Sequence, residues 1–114
     1  MVGQCGTSVG AATYTTLHAE RPFAGERYLF DETGRARAVL VDGEAKVVGP
    51  LVKNGSGPFH RADAFVEDSG RGNNWALGYY GPRRGNSIVD NAMEAYRRQL
   101  EGTCVLAGVC SVWV

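Results

Sequence analysis

The sequence lacks both the excess of one charge that is typical of nucleic-acid-binding proteins and the long apolar runs that are typical of membrane proteins. Lys plus Arg and Asp plus Glu both number 12, so the formal net charge is zero at pH 7. This balance argues against bulk electrostatic binding to nucleic acid or to an anionic membrane. No apolar run approaches the ~20 residues of a membrane span. The first residues show no basic segment followed by an apolar core, so we expect no secretory signal.

Cysteine and histidine are also scarce. The three cysteines, Cys5, Cys104 and Cys110, have no CxxC spacing, which is typical of free thiols in a reducing compartment and not of a disulfide framework. His18 and His60 lie far from the cysteines in the sequence, so the pattern predicts no zinc site.

Glycine is abundant, with 16 residues in separate clusters along a chain of 114, which is enough for one domain. The richest stretch begins Gly70-Arg71-Gly72-Asn73-Asn74 and continues with Trp75. A glycine-rich loop that leads to a helix is a common phosphate site. Because Trp75 stands where the dinucleotide fingerprint has its third glycine, the match to that motif is incomplete. The alternative is a Gly/Asn surface turn with a buried tryptophan.

Hydrophobic patterns predict loops, helices and strands in alternation, and therefore an α/β fold with a parallel sheet. Thr7 or Ser8 is predicted to cap a first helix after an initial glycine loop. The other predicted elements are a helix through Ala11–Leu17, a short extended piece at Arg27–Phe30, a buried strand at Arg37–Val41, one helical turn within Lys46–Val52, an extended segment at Phe59–Val66, a helix at Ser87–Glu101 that stops at Gly102, and a buried strand at Val105–Val114.

Two carboxylates follow the first predicted strand directly. Asp42 and Glu44 flank Gly43, and carboxylates at the end of a buried strand could hold Mg²⁺ through water. The alternative is a solvated turn.

Three motifs in register resemble the amino-terminal part of the tubulin family. They are Gly3-Gln4-Cys5-Gly6, the run from Arg37 to Glu44 (RAVLVDGE), and the run from Gly70 to Gly78 (GRGNNWALG). The resemblance covers nearly the whole chain, but only about the first third of a tubulin. Within the family, Arg37–Val47 and Trp75–Arg83 are most similar to the delta form, with the zeta form second.

The resemblance implies an incomplete Rossmann-like parallel sheet, with residues 1–114 forming part of a GTP-binding domain. It implies guanine nucleotide and Mg²⁺ as ligands in the intact protein, tubulins or microtubules as partners, and a place in the cytoplasmic cytoskeleton at centrioles or basal bodies. The implied binding residues are Gln4 and Cys5 in a first loop, Asp42 and Glu44 in an acidic loop with Glu44 facing the metal, and Gly72 and Asn73 in a third loop.

The chain also departs from the family pattern. Thr7-Ser8 replaces the usual Asn-Gln pair, and Arg71 brings a positive charge into the third loop. The family's main glycine-rich phosphate loop is expected after Val114. We therefore expect a truncated domain that binds GTP poorly and does not hydrolyse it.

Two other interpretations stay open at this point. One is a dinucleotide-binding oxidoreductase fragment that uses Gly70-x-Gly72 as its phosphate loop. That reading needs an acidic residue at the end of the next strand to hold a ribose. The other is a non-functional truncated product, poorly soluble because its strand edges are unpaired.

Overall fold

The computed structural model describes residues 1–20, 26–53, 57–67, 70–81 and 88–102. Within these ranges the chain forms α-helices, one 3₁₀ helix and two β-strands, which confirms the α/β prediction. In chain order they are α1 (Gly3–Ala19), α2 (Glu26–Leu29), β1 (Leu40–Asp42), α3 (Ala45–Lys53), the 3₁₀ helix (Arg61–Asp63), β2 (Ala64–Val66), α4 (Trp75–Tyr80) and α5 (Ile88–Glu101).

The two strands pair in parallel, with Leu40 opposite Ala64 and Asp42 opposite Val66. Helix α3 lies between them in the chain, as a parallel connection requires. On the other side of β1, Val2 forms a parallel bridge to Val41, whose N–H donates to the Met1 carbonyl at 2.9 Å. The carboxyl ends of β1 and β2 therefore lie side by side at one edge of the sheet.

The core lies between the sheet and the helices α1 and α3. Leu40 and Val48 are almost completely buried, as is Phe30 from the segment after α2. The ring of Tyr14 meets Phe30 and Phe59 edge-on, with centroids 5.6 and 5.8 Å apart. Its hydroxyl donates to the Arg37 carbonyl at 3.1 Å, so the polar end of the side chain has a hydrogen-bond partner beside the apolar cluster.

The predicted initial glycine loop is wrong, because α1 begins at Gly3 and runs without a break to Ala19. Thr7 and Ser8 are therefore helix-interior residues and not caps; Thr7 is fully buried and Ser8 is exposed. Gly6 and Gly10 lie on the buried face of α1. Small residues there let the helix approach the rest of the chain closely, and this packing outweighs the low helix propensity of glycine.

Four further elements differ from the sequence prediction. The buried strand expected at Arg37–Val41 is the three-residue strand β1, which starts later and extends to Asp42. The piece expected to be extended at Arg27–Phe30 is largely the short helix α2. The single turn expected within Lys46–Val52 is the longer helix α3, which contains Pro50. In the Phe59–Val66 segment only Ala64–Val66 forms a strand.

The prediction of a buried Trp75 is also wrong. Trp75 begins α4 and is 74% exposed, stacked on Tyr79 with ring centroids 5.0 Å apart. Helix α5 is present and ends at Glu101, before Gly102, as predicted. Its buried face contains Ala95 with Ile88 and Ala92 half-buried, whereas Tyr96, expected on that face, is exposed.

Some predictions fall outside the described residues. These are the Ser87 cap of α5, the strand at Val105–Val114, and the positions of Cys104 and Cys110. Within the described ranges, none of the helices combines the length and the apolar character that a membrane crossing needs.

Candidate functional site

An open cleft of about 300 Å³ lies at the sheet edge where β1 and β2 end. Three separate parts of the described chain line it: the start of α1, the segment from the end of β1 to the start of α3, and the loop between β2 and α4. Its lining residues are Gln4, Asp42, Gly43, Glu44, Lys46, Arg71 and Asn73.

The start of α1 brings backbone donors to the cleft. Gln4 is the second residue of a helix of 17 residues, and Val2 at the N-cap position makes no side-chain capping bond. The first N–H groups of a helix have no partner within the helix, and the helix dipole makes this end positive. This end of the cleft is therefore suited to an anion.

The acidic loop is fixed by Asp42. Its Oδ1 accepts a hydrogen bond from the Glu44 N–H at 3.1 Å, which is an Asx turn that sets the direction of the loop. Asp42 Oδ2 is buried and has no hydrogen-bond partner among the described residues. A buried carboxylate oxygen needs a polar or cationic partner, so this atom is suited to a cation or a water molecule. Glu44 lies at the cleft and forms an exposed ion pair with Lys46 at 3.5 Å.

The glycine loop contains a tight turn. The Asn74 N–H donates to the Arg71 carbonyl at 2.9 Å, and the two residues between them, Gly72 and Asn73, have φ of 56° and 54°. Two central residues with positive φ are the mark of a type I′ turn, and asparagine tolerates this conformation better than most residues do. Gly70 is also left-handed, with φ of 59°.

Asn74 is the N-cap residue of α4. Its side-chain Oδ1 accepts from the N–H groups of Ala76 at 3.0 Å and Leu77 at 3.3 Å. Because the asparagine caps the helix, the turn before it is held between β2 and α4.

Arg71 connects the parts of the cleft. Its Nη2 forms an ion pair with Glu67, the residue that follows β2. The Glu67 N–H in turn donates to the Asp42 carbonyl at 3.3 Å, which joins the two loops. A Cβ atom placed on Gly81 would lie 2.8 Å from Arg71 Nη1, so the guanidinium lies beside the end of α4.

Four of the six predicted site residues line the cleft, namely Gln4, Asp42, Glu44 and Asn73. Cys5 and Gly72 do not line it, although each is next to a residue that does; both are exposed. Lys46 was not predicted at the cleft, because its position two residues after the acidic loop does not distinguish it from an ordinary surface lysine. The positive charge of Arg71 was predicted in the third loop, but the partners of its guanidinium were not.

The cleft combines two chemistries. Backbone donors and a guanidinium suit phosphate oxygens, whereas the carboxylates of Asp42 and Glu44 suit a hard divalent cation. The two sets lie on neighbouring loops, as a phosphate chain with a bound Mg²⁺ would require.

Comparison with known proteins agrees with the resemblance seen in the motifs. Residues 1–112 match the model of the Tubulin/FtsZ family, GTPase domain. The tubulin beta-1 chain of Geotrichum candidum is 34% identical over 125 aligned positions, which cover 93% of this chain. The alignment covers only 28% of that relative's length. This chain thus belongs to the Tubulin/FtsZ family.

Proposed function

We propose that the cleft binds the phosphate end of a guanine nucleotide together with Mg²⁺. The observation that carries this proposal is the meeting of three loops in one cleft. Gln4 comes from the first, Asp42 and Glu44 from the second, and Asn73 from the third. These are the three segments that carry the resemblance to the tubulins.

The phosphate oxygens would be held by the start of α1 and by the type I′ turn. In this proposal Gln4 contributes its backbone N–H and its side-chain amide, and Cys5 contributes a backbone N–H. Gly72 and Asn73 contribute backbone donors from the left-handed turn, where concave main chain favours anions.

The cation would be held on the acidic side of the cleft. Mg²⁺ in nucleotide sites is usually bound by one or two carboxylates, with phosphate oxygens and water in the other positions. The described residues contain no group of three or more metal-binding side chains, so they suit this partial shell and not a site made entirely of protein ligands. The buried, unpartnered Oδ2 of Asp42 fits such a shell, directly or through water.

The finer assignment rests on the resemblance of Arg37–Val47 and Trp75–Arg83 to the delta form. We propose a delta-like tubulin that acts in the cytoplasmic cytoskeleton at centrioles or basal bodies, with other tubulins as partners. We do not expect the 114 residues by themselves to hydrolyse GTP. The resemblance assigns the main phosphate loop and the catalytic acid to later parts of the family's chain.

The test is a titration with a fluorescent GTP analogue, with Mg²⁺ and with EDTA. Glu44→Gln should weaken binding about tenfold or more with Mg²⁺, because a charge-assisted contact to the cation is lost. In EDTA the same variant should bind as well as the parent or better, because a negative charge near the phosphates has been removed.

The matched control is Glu32→Gln, which removes an exposed carboxylate elsewhere in the chain. It should bind like the parent in both buffers. The proposal is wrong if Glu44→Gln behaves like the control, or if it loses the same affinity with and without Mg²⁺.

A further inference from the structure

The side chain of Arg71 makes contacts that neither the formation of the turn nor the solubility of the loop requires. Its guanidinium pairs with Glu67, and the side chains of the two residues are only 28% and 21% exposed. The Cγ atom of Arg71 would lie 3.6 Å from a Cβ placed on Gly43, in the acidic loop. The arginine thus lies over both loops and lines the cleft with Asn73 and Gln4.

Among the described residues that line the cleft, two are cationic, and they differ in what they can do for an anion. Lys46 is 62% exposed and pairs with Glu44, so water and the carboxylate screen it. Arg71 is partly desolvated and offers a planar set of five N–H donors. Its pairing with Glu67 uses Nη2. No described residue accepts a hydrogen bond from Nη1 or Nε, so these N–H groups can donate to a ligand.

We propose that Arg71 is a ligand-binding residue of this cleft and that Glu67 is its built-in competitor. This inference rests on the proposed function. Without ligand the guanidinium is held by Glu67; with ligand it donates to phosphate oxygens, and the Glu67 contact is weakened or shared. Because the phosphate and Glu67 compete for the same guanidinium, part of the free energy of phosphate binding is used to weaken the Arg71–Glu67 pair. The affinity for phosphate is lower as a result.

If Glu67 competes with the ligand, removing its charge should raise the affinity for phosphate. A merely structural ion pair would not give this increase. Glu67→Gln keeps the size of the side chain and an acceptor for Arg71, but removes the competing charge. It should raise the affinity for inorganic tripolyphosphate and for Mg·GTP by about threefold. Arg71→Gln should lower both by about tenfold or more, because a charge-assisted phosphate contact is lost.

The double variant Glu67→Gln/Arg71→Gln completes the cycle. It should bind like Arg71→Gln alone, since Glu67 acts only through the arginine. Calorimetric titration measures the affinities, and thermal melting of each variant shows that it is folded. If Glu67→Gln lowers the affinity or leaves it unchanged, the pair is a structural brace and the proposal is overturned.

Two glycines of the same segment provide a test that leaves Arg71 and Glu67 in place. Gly81→Ala puts a methyl group 2.8 Å from Arg71 Nη1 and forces the guanidinium to move, whereas a methyl group on Gly78 meets nothing within 4 Å. Gly81→Ala should lower the tripolyphosphate affinity about threefold, because hydrogen bonds weaken when they are misaligned. Gly78→Ala should not change it. Equal affinities for the two variants would overturn the role of Arg71.

Failure of this inference can be told apart from failure of the proposed function. If Mg·GTP binds in a Glu44-dependent way but the Glu67→Gln effect has the wrong sign, only the role of Arg71 is overturned. If the parent chain binds neither Mg·GTP nor tripolyphosphate, the proposed function fails, and the role of Arg71 fails with it.

Discussion

Gly70 and Gly72 have nearly the same backbone but different surroundings. Both are left-handed, with φ of 59° and 56°. A Cβ on Gly70 would lie 3.1 Å from Glu44 Cγ and 3.3 Å from its Oε1, whereas a Cβ on Gly72 would have no neighbour within 4 Å. The two positions therefore separate backbone strain from the placement of the glutamate.

Alanine at either glycine should destabilise the chain by about 1–2 kcal/mol, the cost of a left-handed L-residue. Only Gly70→Ala should also weaken the Mg²⁺ dependence of nucleotide binding, because it displaces Glu44. Chemical denaturation measures the first effect and Mg²⁺ titrations with GTP the second. Gly72→Ala is the control, and an equal Mg²⁺ dependence in both variants would show that Gly70 does not position the carboxylate.

Asp31 provides a pH-dependent part of the stability. Its Oδ1 accepts from the Thr33 N–H at 2.8 Å, the Thr33 hydroxyl at 2.7 Å and the Arg35 N–H at 2.9 Å. Partial burial raises the pKa of Asp31, but the hydrogen bonds from Thr33 and Arg35 outweigh it, so the net pKa is lowered. A lowered folded-state pKa stabilises the fold at pH values above the unfolded pKa, which is about 4.

Asp31→Ala should therefore destabilise the chain at pH 7 by about 1 kcal/mol. The difference from the parent should shrink as the pH falls below about 4 and through the lower folded-state pKa. Urea unfolding between pH 7 and pH 3 measures it. Glu32→Ala, at the exposed neighbouring position, is the control; a difference that persists at low pH would contradict a role for the charge.

At the scale of elements, α1 shows how packing overrides propensity. Gly10 is buried in the middle of this helix, and a Cβ there would collide with the side chain of Met1. Met1 is held beside β1 by two hydrogen bonds. Its amino group donates to the carbonyl of Val39, the residue before the strand, at 2.8 Å, and its carbonyl accepts from the Val41 N–H. Because Gly10 has no Cβ, it leaves room for the Met1 side chain and lets Met1 stay bound beside the strand.

Gly10→Ala should destabilise the chain, although alanine is the better helix former by up to about 1 kcal/mol. Ser8→Ala in the same helix is the control. Because Ser8 is exposed and helix-interior, this change should be neutral or stabilising by a few tenths of a kcal/mol. Thermal melting measures both. A loss of about 1 kcal/mol for Ser8→Ala would instead indicate a helix cap at this position.

Sequence patterns predicted those elements whose signal is local. The amphipathic spacing was sufficient to predict α5. The β-branched run before Asp42 predicted a strand, although β1 begins at Leu40 and not at Arg37. The meeting of the acidic and glycine loops follows from a parallel pair of strands. The start of α1 was predicted as a loop because glycine usually disfavours a helix, whereas here Gly6 and Gly10 are used for close packing. Helix α4 was missed because WALGYY has no clear amphipathic period, and its first residue, Trp75, lies exposed where burial was expected.

At the scale of the whole molecule, zero net charge and exposed apolar side chains occur together. Val89 and Met93 lie one turn apart on α5 and are 49% and 60% exposed. On α4, Leu77 and Tyr80 are also exposed. With a formal net charge of zero at pH 7, no long-range repulsion opposes contacts between copies, and apolar surface of this kind favours association.

We therefore expect the chain to self-associate with rising concentration at pH 7. Val89→Lys/Met93→Lys should reduce the association seen by sedimentation velocity, since it removes apolar surface from α5. The change also adds two positive charges, so the control is Ala12→Lys/Thr16→Lys. It adds the same charges at exposed positions one turn apart on α1. If both variants reduce association equally, charge alone explains the effect; if only the α5 variant does, the exposed face of α5 causes the association.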